Sequence, residues 1–230
     1  MTLTDVLAKV ESSSDPALEL LKEYCRFPTI SAHRKAQPET AAFVRRILNE
    51  NGFEAREYPT EGGPNVVFGQ MIVDETKPTL LMYEHYDVQP TDPIHEWKRD
   101  PFDPVVQDGK FWARGCGDTK GNLIAQLLAV QAWRDVEGAP PINLKFVVEG
   151  EEEVGSPHFR SFVEAHKDIL KADGATVEGG DHTHAASDGY RELSGSEREV
   201  LKVACLYEVP GPPTSLMPWV SIDHDVLISL

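Results

Sequence analysis

Residues 144–156 read LKFVVEGEEEVGS. The first part, within INLKFVVEG, is a short, largely apolar run of β-branched and aromatic residues without strict polar alternation. That pattern predicts a strand buried on both faces. The second part sets four glutamates within five residues: Glu149, Glu151, Glu152 and Glu153. Like charges this close repel, so water or a cation must offset them. A strand buried on both faces belongs to a sheet covered by helices, and such sheets collect ligands at the carboxyl ends of their strands. On its own, EEE reads as a charged loop closed by Gly155 and Ser156. Its place at the end of an apolar strand makes it a candidate site.

The flanking chain alternates strands and helices. Helical spacing runs through residues 4–24, and SSSDP divides it in two, with Ser14 or Asp15 as the cap ahead of Pro16. A further helix is expected over 38–51, ended by Asn51-Gly52. FEAREY (53–58), NVVFGQMIV (65–73) and TLLMYEH (79–85) read as strands. VVQDGKFWA (105–113) reads as a hairpin turning at Asp108-Gly109. Helices follow over 120–134 and in SPHFRSFVEAHKDIL (156–170), the latter capped by Ser156. ADGATVEGG (172–180) adds a short strand, and residues 198–209 could be another. The fold class is therefore α/β, with a mixed, mostly parallel sheet flanked by helices. His85, Glu151–Glu153 and Glu178 all fall at or just past strand ends.

Composition narrows the partners. The chain has 230 residues and a formal net charge of −16. Such a surface repels phosphate backbones and anionic lipid heads, so neither nucleic acid nor membrane is expected. Cys25, Cys116 and Cys205 are too scattered for a disulfide framework or CxxC site, which fits a reducing cytoplasm. The acidic start, MTLTDVLAKVESSSDP, has no apolar core of a signal peptide.

Three motifs offer chemistry. In HYDVQP (85–90), His85 can present an imidazole nitrogen to a metal while Asp87, two residues on, takes the other ring N–H. A surface histidine beside a turn aspartate is the plainer alternative. In ARGCGDTKGN (113–122), Asp118 stands at a loop-to-helix junction, where it could equally be an N-cap. The glycines there do not form a phosphate loop, because GCGDTKG lacks the GxxxxGK[ST] order. In EGEEEVGS, one glutamate would bind metal and a neighbour would act as general base on a water. His182 and His184, in TVEGGDHTH (176–184), read as solvent-exposed histidines rather than a metal pair.

The joint order is more specific than any one motif. HxDVxP, WKRDPFDP (97–104), DGKFWARGCGDTKGN, EGEEEVGS and a strand ending VEGG together resemble the M20 family of di-zinc metallopeptidases, nearest its carnosinase-like dipeptidases. FPTIS (27–31) resembles the family's early helix-to-loop segment, and the likeness spans about residues 15–180. It implies a zinc-exopeptidase-like catalytic domain and two Zn²⁺ ions, with Mn²⁺ or Co²⁺ as substitutes. His85 and Glu178 would bind one ion, Glu153 the other, and Asp118 would bridge them. Asp87 would orient His85, and Glu152 would be the general base in hydrolysis of dipeptides or N-acyl amino acids. No other cofactor is implied.

Departures from that pattern set further expectations. The family chain is typically much longer, with an inserted lid or dimerisation domain and a final histidine ligand. Residues 1–190 are expected to be the N-terminal part of a catalytic domain and 191–230 a divergent tail of a truncated or frameshifted product. The ion held by Asp118 and Glu153 is then one ligand short; His224 does not match the final motif. Glu84 replaces the usual glycine before the ligand histidine and is expected to crowd the site. A full-length form could pair as a homodimer. The alternatives are an inactive fragment keeping a partial metal site, a two-metal phosphohydrolase, and a plain acidic binding domain.

Overall fold

The structure, a computed structural model, describes residues 3–177. Glu178, His182, His184, Cys205 and His224, the expected tail and the strand expected over 198–209 lie outside the described residues. Two helices open the chain, α1 (Leu3–Ser12) and α2 (Ser14–Cys25), and α3 (Gln37–Glu50) follows. The break falls at SSSDP as expected, but α2 begins at Ser14, with Ser13 at the cap position making no side-chain bond. Three strands come next: β1 (Glu54–Tyr58), β2 (Val66–Met71) and β3 (Thr79–His85). A hairpin, β4 (Val105–Gln107) and β5 (Lys110–Trp112), turns through Asp108 and Gly109 with φ of 53° and 69°. Two left-handed residues are what a two-residue turn matched to strand twist requires. Then come α4 (Lys120–Glu137), β6 (Asn143–Glu149), α5 (Phe159–Ala165), α6 (Lys167–Leu170) and β7 (Gly174–Thr176).

The main sheet has the order β1-β2-β6-β3-β7. β2 runs against β1 and β6, while β6, β3 and β7 are mutually parallel, so four of the five strands point one way. The sheet is thus mixed and mostly parallel, as the alternation of elements implied. All seven residues of β6 are buried, as expected for its unalternating sequence. Burying Leu144 or Phe146 contributes about 1.5–3 kcal/mol each.

Helices cover both faces. Leu80, Met82, Leu144, Phe146 and Val148 pack with residues of α1, α2, α3 and α4 in the larger core. Val147, Leu81 and Tyr83 pack on the other face with Phe159, Phe162 and Val163 of α5. This division positions the site. β3 and β6 are adjacent and parallel, yet β3 is followed by α4 on one face and β6 by α5 on the other. Chains that leave neighbouring strand ends toward opposite faces open a crevice between them, the usual ligand position in such sheets.

Lys120 fixes the start of α4 from beneath. Its side chain is fully buried, and its Nζ donates to the carbonyls of Phe27 (2.8 Å) and Tyr24 (3.2 Å) at the end of α2. These carbonyls lie in and just past the last turn of α2, where the negative end of the helix dipole favours a cation. Desolvation lowers the lysine pKa to about 8.

Phe146 is fully buried at the centre of β6 and packs edge-on against Phe53 at 5.2 Å. Phe146→Ala is expected to lower unfolding free energy by about 3–5 kcal/mol in urea denaturation. Arg160→Ala, at a side chain 88% exposed, is expected to change it by no more than about 0.5 kcal/mol.

Candidate metal centre

β3 ends at His85, and residues 149–156 leave the end of β6 beside it; β3 and β6 pair in register, His85 opposite Glu149. His85 is fully buried. Its Nδ1 lies 3.1 Å from the Asp87 carbonyl and 3.3 Å from Asp87 Oδ1. Both neighbours are acceptors, so Nδ1 carries the proton and Nε2 faces the crevice. There Nε2 meets Asp118 Oδ1 at 3.1 Å and Glu152 Oε2 at 3.8 Å. The His85 hydrogen bond holds the Asp118 carboxyl below its usual range, against a smaller opposing effect of burial.

Asp87 does more than orient the ring. Its carboxylate is fully buried and accepts the backbone N–H groups of Glu152 (to Oδ1) and Glu153 (to Oδ2), each at 3.1 Å. One carboxylate thus backs the histidine of one strand end and holds the main chain of the next. Glu152–Val154 form a single 3-10 turn. Glu153 is positioned by Gln89, whose Nε2 donates to its Oε2 at 2.7 Å and its carbonyl at 3.1 Å. Burial raises the Glu153 carboxyl above its usual range, and the Gln89 bond offsets part of that shift.

Among the described residues, potential ligand atoms of His85, Asp118 and Glu153 all lie within 4.8 Å of one another. The three expected ligands that can be compared therefore converge, with Glu152 beside them. Asp118 leaves about 72% of its side chain open to solvent, so the group has an accessible side. The Asp118–Thr119 peptide is cis.

The glutamates divide their work. Glu151 turns away from the crevice: its Oε1 accepts the His158 N–H (2.6 Å), and its carboxylate contacts His158 Nδ1 at 2.9 and 3.0 Å. Glu149 is 1% exposed, and its Oε1 accepts the Tyr83 hydroxyl (2.8 Å) and the Ser156 hydroxyl (2.7 Å). Of the run, Glu152 and Glu153 are the two that face His85 and Asp118. Ser156 is also not the cap of the following helix, because its hydroxyl is spent on Glu149 and His158 occupies the cap position. The helix expected over 156–170 is two helices separated at His166.

Glu84 does not crowd the site. Successive strand residues face opposite sides, and its carboxylate points under α4. It accepts Thr119 Oγ1 (2.5 Å) and Gln126 Nε2 (2.6 Å), bracing the helix that follows Asp118. Gly150 must be glycine here, since a Cβ would meet the Tyr86 ring at 2.2 Å. Gln89, Glu149 and the backbone role of Asp87 were not legible as site features. Gln89 lies within the quoted HYDVQP, but nothing local in the sequence pairs it with Glu153.

A model of peptidase family M20/M25/M40 matches residues 81–212 of the chain. The chain belongs to this family. It is 42% identical over 105 residues to the human Beta-Ala-His dipeptidase, covering 46% of this chain and 21% of that protein. It is 31% identical over 156 residues to the cysteinylglycine-S-conjugate dipeptidase of Corynebacterium striatum, covering 67% of this chain and 34% of that one. The fold matches the crystal structure of human carnosine dipeptidase 1 with a TM-score of 0.70 at 29% identity, over 76% of this chain and 40% of that structure. The chain thus spans well under half the length of these relatives. Among the described residues, no helix is long and apolar enough to cross a membrane.

Burial raises the Glu149 pKa to about 7, the Ser156 and Tyr83 hydrogen bonds opposing the shift. The folded state then holds a proton that the unfolded chain, near 4.5, has released. Stability from this group is complete below about 4.5 and is lost as pH rises through about 7. Thermal melts of the wild type and Glu149→Gln across pH 4–8 are expected to show the wild type losing stability relative to the variant over that window.

Proposed function

We propose that the crevice is the centre of a metal-dependent hydrolase that cleaves the peptide or amide bond of dipeptides or N-acyl amino acids. The observation that carries this reading is the convergence of His85, Asp118 and Glu153 in a chain of a peptidase family. One imidazole and two carboxylates suit Zn²⁺, with Mn²⁺ and Co²⁺ as substitutes. His85 has its far ring nitrogen already held, as metal-binding histidines require. Two Zn²⁺ ions are the expected complement, with Asp118 between them, Glu153 on one and His85 on the other. Glu178, outside the described residues, would join His85.

Bound metal supplies Lewis acidity, polarising the scissile carbonyl and making water a nucleophile near neutral pH. The chain's own groups supply the rest. Glu152, 3.8 Å from His85 Nε2, takes the proton of the attacking water and later delivers it to the leaving amine. Asp87 keeps His85 in one tautomer and fixes the main chain beneath Glu152 and Glu153. Gln89 keeps the Glu153 carboxylate turned inward.

A second reading is favoured by the small ligand group: three described residues suit one cation, so the chain could bind a single metal without turnover. Zn²⁺ titration by calorimetry, together with hydrolysis assays on β-Ala-His and cysteinylglycine, separates the two. The enzyme reading expects two tight equivalents and turnover. Glu152→Gln is then expected to lower kcat about 10²–10⁴-fold while leaving metal affinity nearly unchanged, and His85→Ala to weaken Zn²⁺ binding at least ~100-fold. One equivalent with no hydrolysis of either dipeptide supports the second reading. No binding at all, or full activity in Glu152→Gln, overturns the first.

A further inference from the structure

Glu149 is a buried acid that the proposed chemistry does not use. It ends β6 at 1% exposure, and its Oε2 is buried without a hydrogen-bond partner among the described residues. Its Oε1 receives two hydroxyls from opposite ends of the local structure. Tyr83 lies in β3, two residues before His85 and on the same face. Ser156 lies at the far end of the turn that carries Glu152 and Glu153. Ser156 adopts a positive φ of 51°, unusual for a residue with a side chain, and its hydroxyl reaches back across the turn. The turn closes on its main chain as well, through Ser156 N–H to the Glu151 carbonyl at 2.9 Å. An eight-residue excursion from a strand end is thereby tied shut at its base.

We propose that Glu149 is a positioning residue: its carboxyl, gripped by Tyr83 and Ser156, holds the turn that presents Glu152 and Glu153 to His85 and Asp118. This deepens the reading above and rests on it for its consequence in metal binding. The closure itself does not depend on metal. Without the grip, the bonds to Asp87 and Gln89 and the one from Gln37 Nε2 to the Gly150 carbonyl (2.9 Å) remain, but the far end of the turn is released, and the carboxylates of Glu152 and Glu153 lose their fixed distance from His85. A carboxyl in the neutral form serves as well as an ionised one, because the bonds that matter are received by one oxygen. Glutamine at this position preserves that oxygen, whereas leucine removes it.

The test compares the full chain with Ser156→Ala, Tyr83→Phe, Glu149→Leu and Glu149→Gln. Hydrogen–deuterium exchange is read on peptides across 150–155, which contain the two amides that donate to Asp87, and on peptides from β6 and α4. Zn²⁺ affinity is measured by calorimetry on the same proteins. Loss of the grip is expected to speed exchange in 150–155 about 10-fold while β6 and α4 stay protected. Zn²⁺ affinity is expected to fall ~10–100-fold, and Glu149→Gln is expected to behave as the wild type in both measurements. Two results overturn the proposal: unchanged exchange across 150–155, or equal acceleration in β6 and α4, which marks Glu149 as ordinary core. Ser156→Ala and Tyr83→Phe each remove one hydroxyl, so they give the answer even where Glu149→Leu fails to fold. A wild type that takes up no Zn²⁺ removes the proposed hydrolase, and exchange alone then decides whether the grip exists.

Discussion

The carboxylate of Asp87 is the joint on which the site depends. It is fully buried, and a buried carboxylate without partners is costly enough that it protonates instead. Here it receives two backbone N–H groups, from Glu152 and Glu153, and lies beside the Nδ1 of His85. Those donors come from the ends of two different strands. Any movement of β3 relative to the turn after β6 strands this charge.

A second layer of constraint explains the density of acids at the end of β6. The four glutamates are not four copies of one function. Glu149 is drawn inward by two hydroxyls, Glu151 anchors His158 at the start of α5, and Glu152 and Glu153 face the metal group. Their mutual repulsion is lowered by this spread of directions. It is lowered further at Glu149, whose pKa burial raises to about 7, so that it carries less negative charge near neutrality. The run is thus stable as a structure while still concentrating two carboxylates where a cation can use them.

Much of the fold was legible because it follows from local pattern. The strand TLLMYEH is observed over the same residues, 79–85, since turn residues bound its apolar run on one side and the site on the other. Asp108-Gly109 specified the hairpin, and the absence of alternation in β6 announced its burial on both faces. What was not legible is long-range. Ser156 has the sequence context of a helix cap, but a buried acid seven residues earlier competes for its hydroxyl and wins. Glu84 looks like an intruder beside His85, but adjacent residues of a strand face opposite sides, and on its side Thr119 and Gln126 donate to its carboxylate. Gln89 could be placed only once the turn after β6 was known to pass beside it.

The same geometry bears on how a cation would enter. Nδ1 of His85 is occupied by Asp87, so proton and metal compete for one position only, Nε2. That nitrogen is hydrogen-bonded to Asp118, whose carboxyl the contact holds below its usual range. The large rearrangements often needed to assemble a site on binding are avoided, because Asp87, Gln89 and the closed turn have already set the positions of the ligands. In this fold the positions of His85, Asp118 and Glu153 are set during folding, by groups outside that cluster.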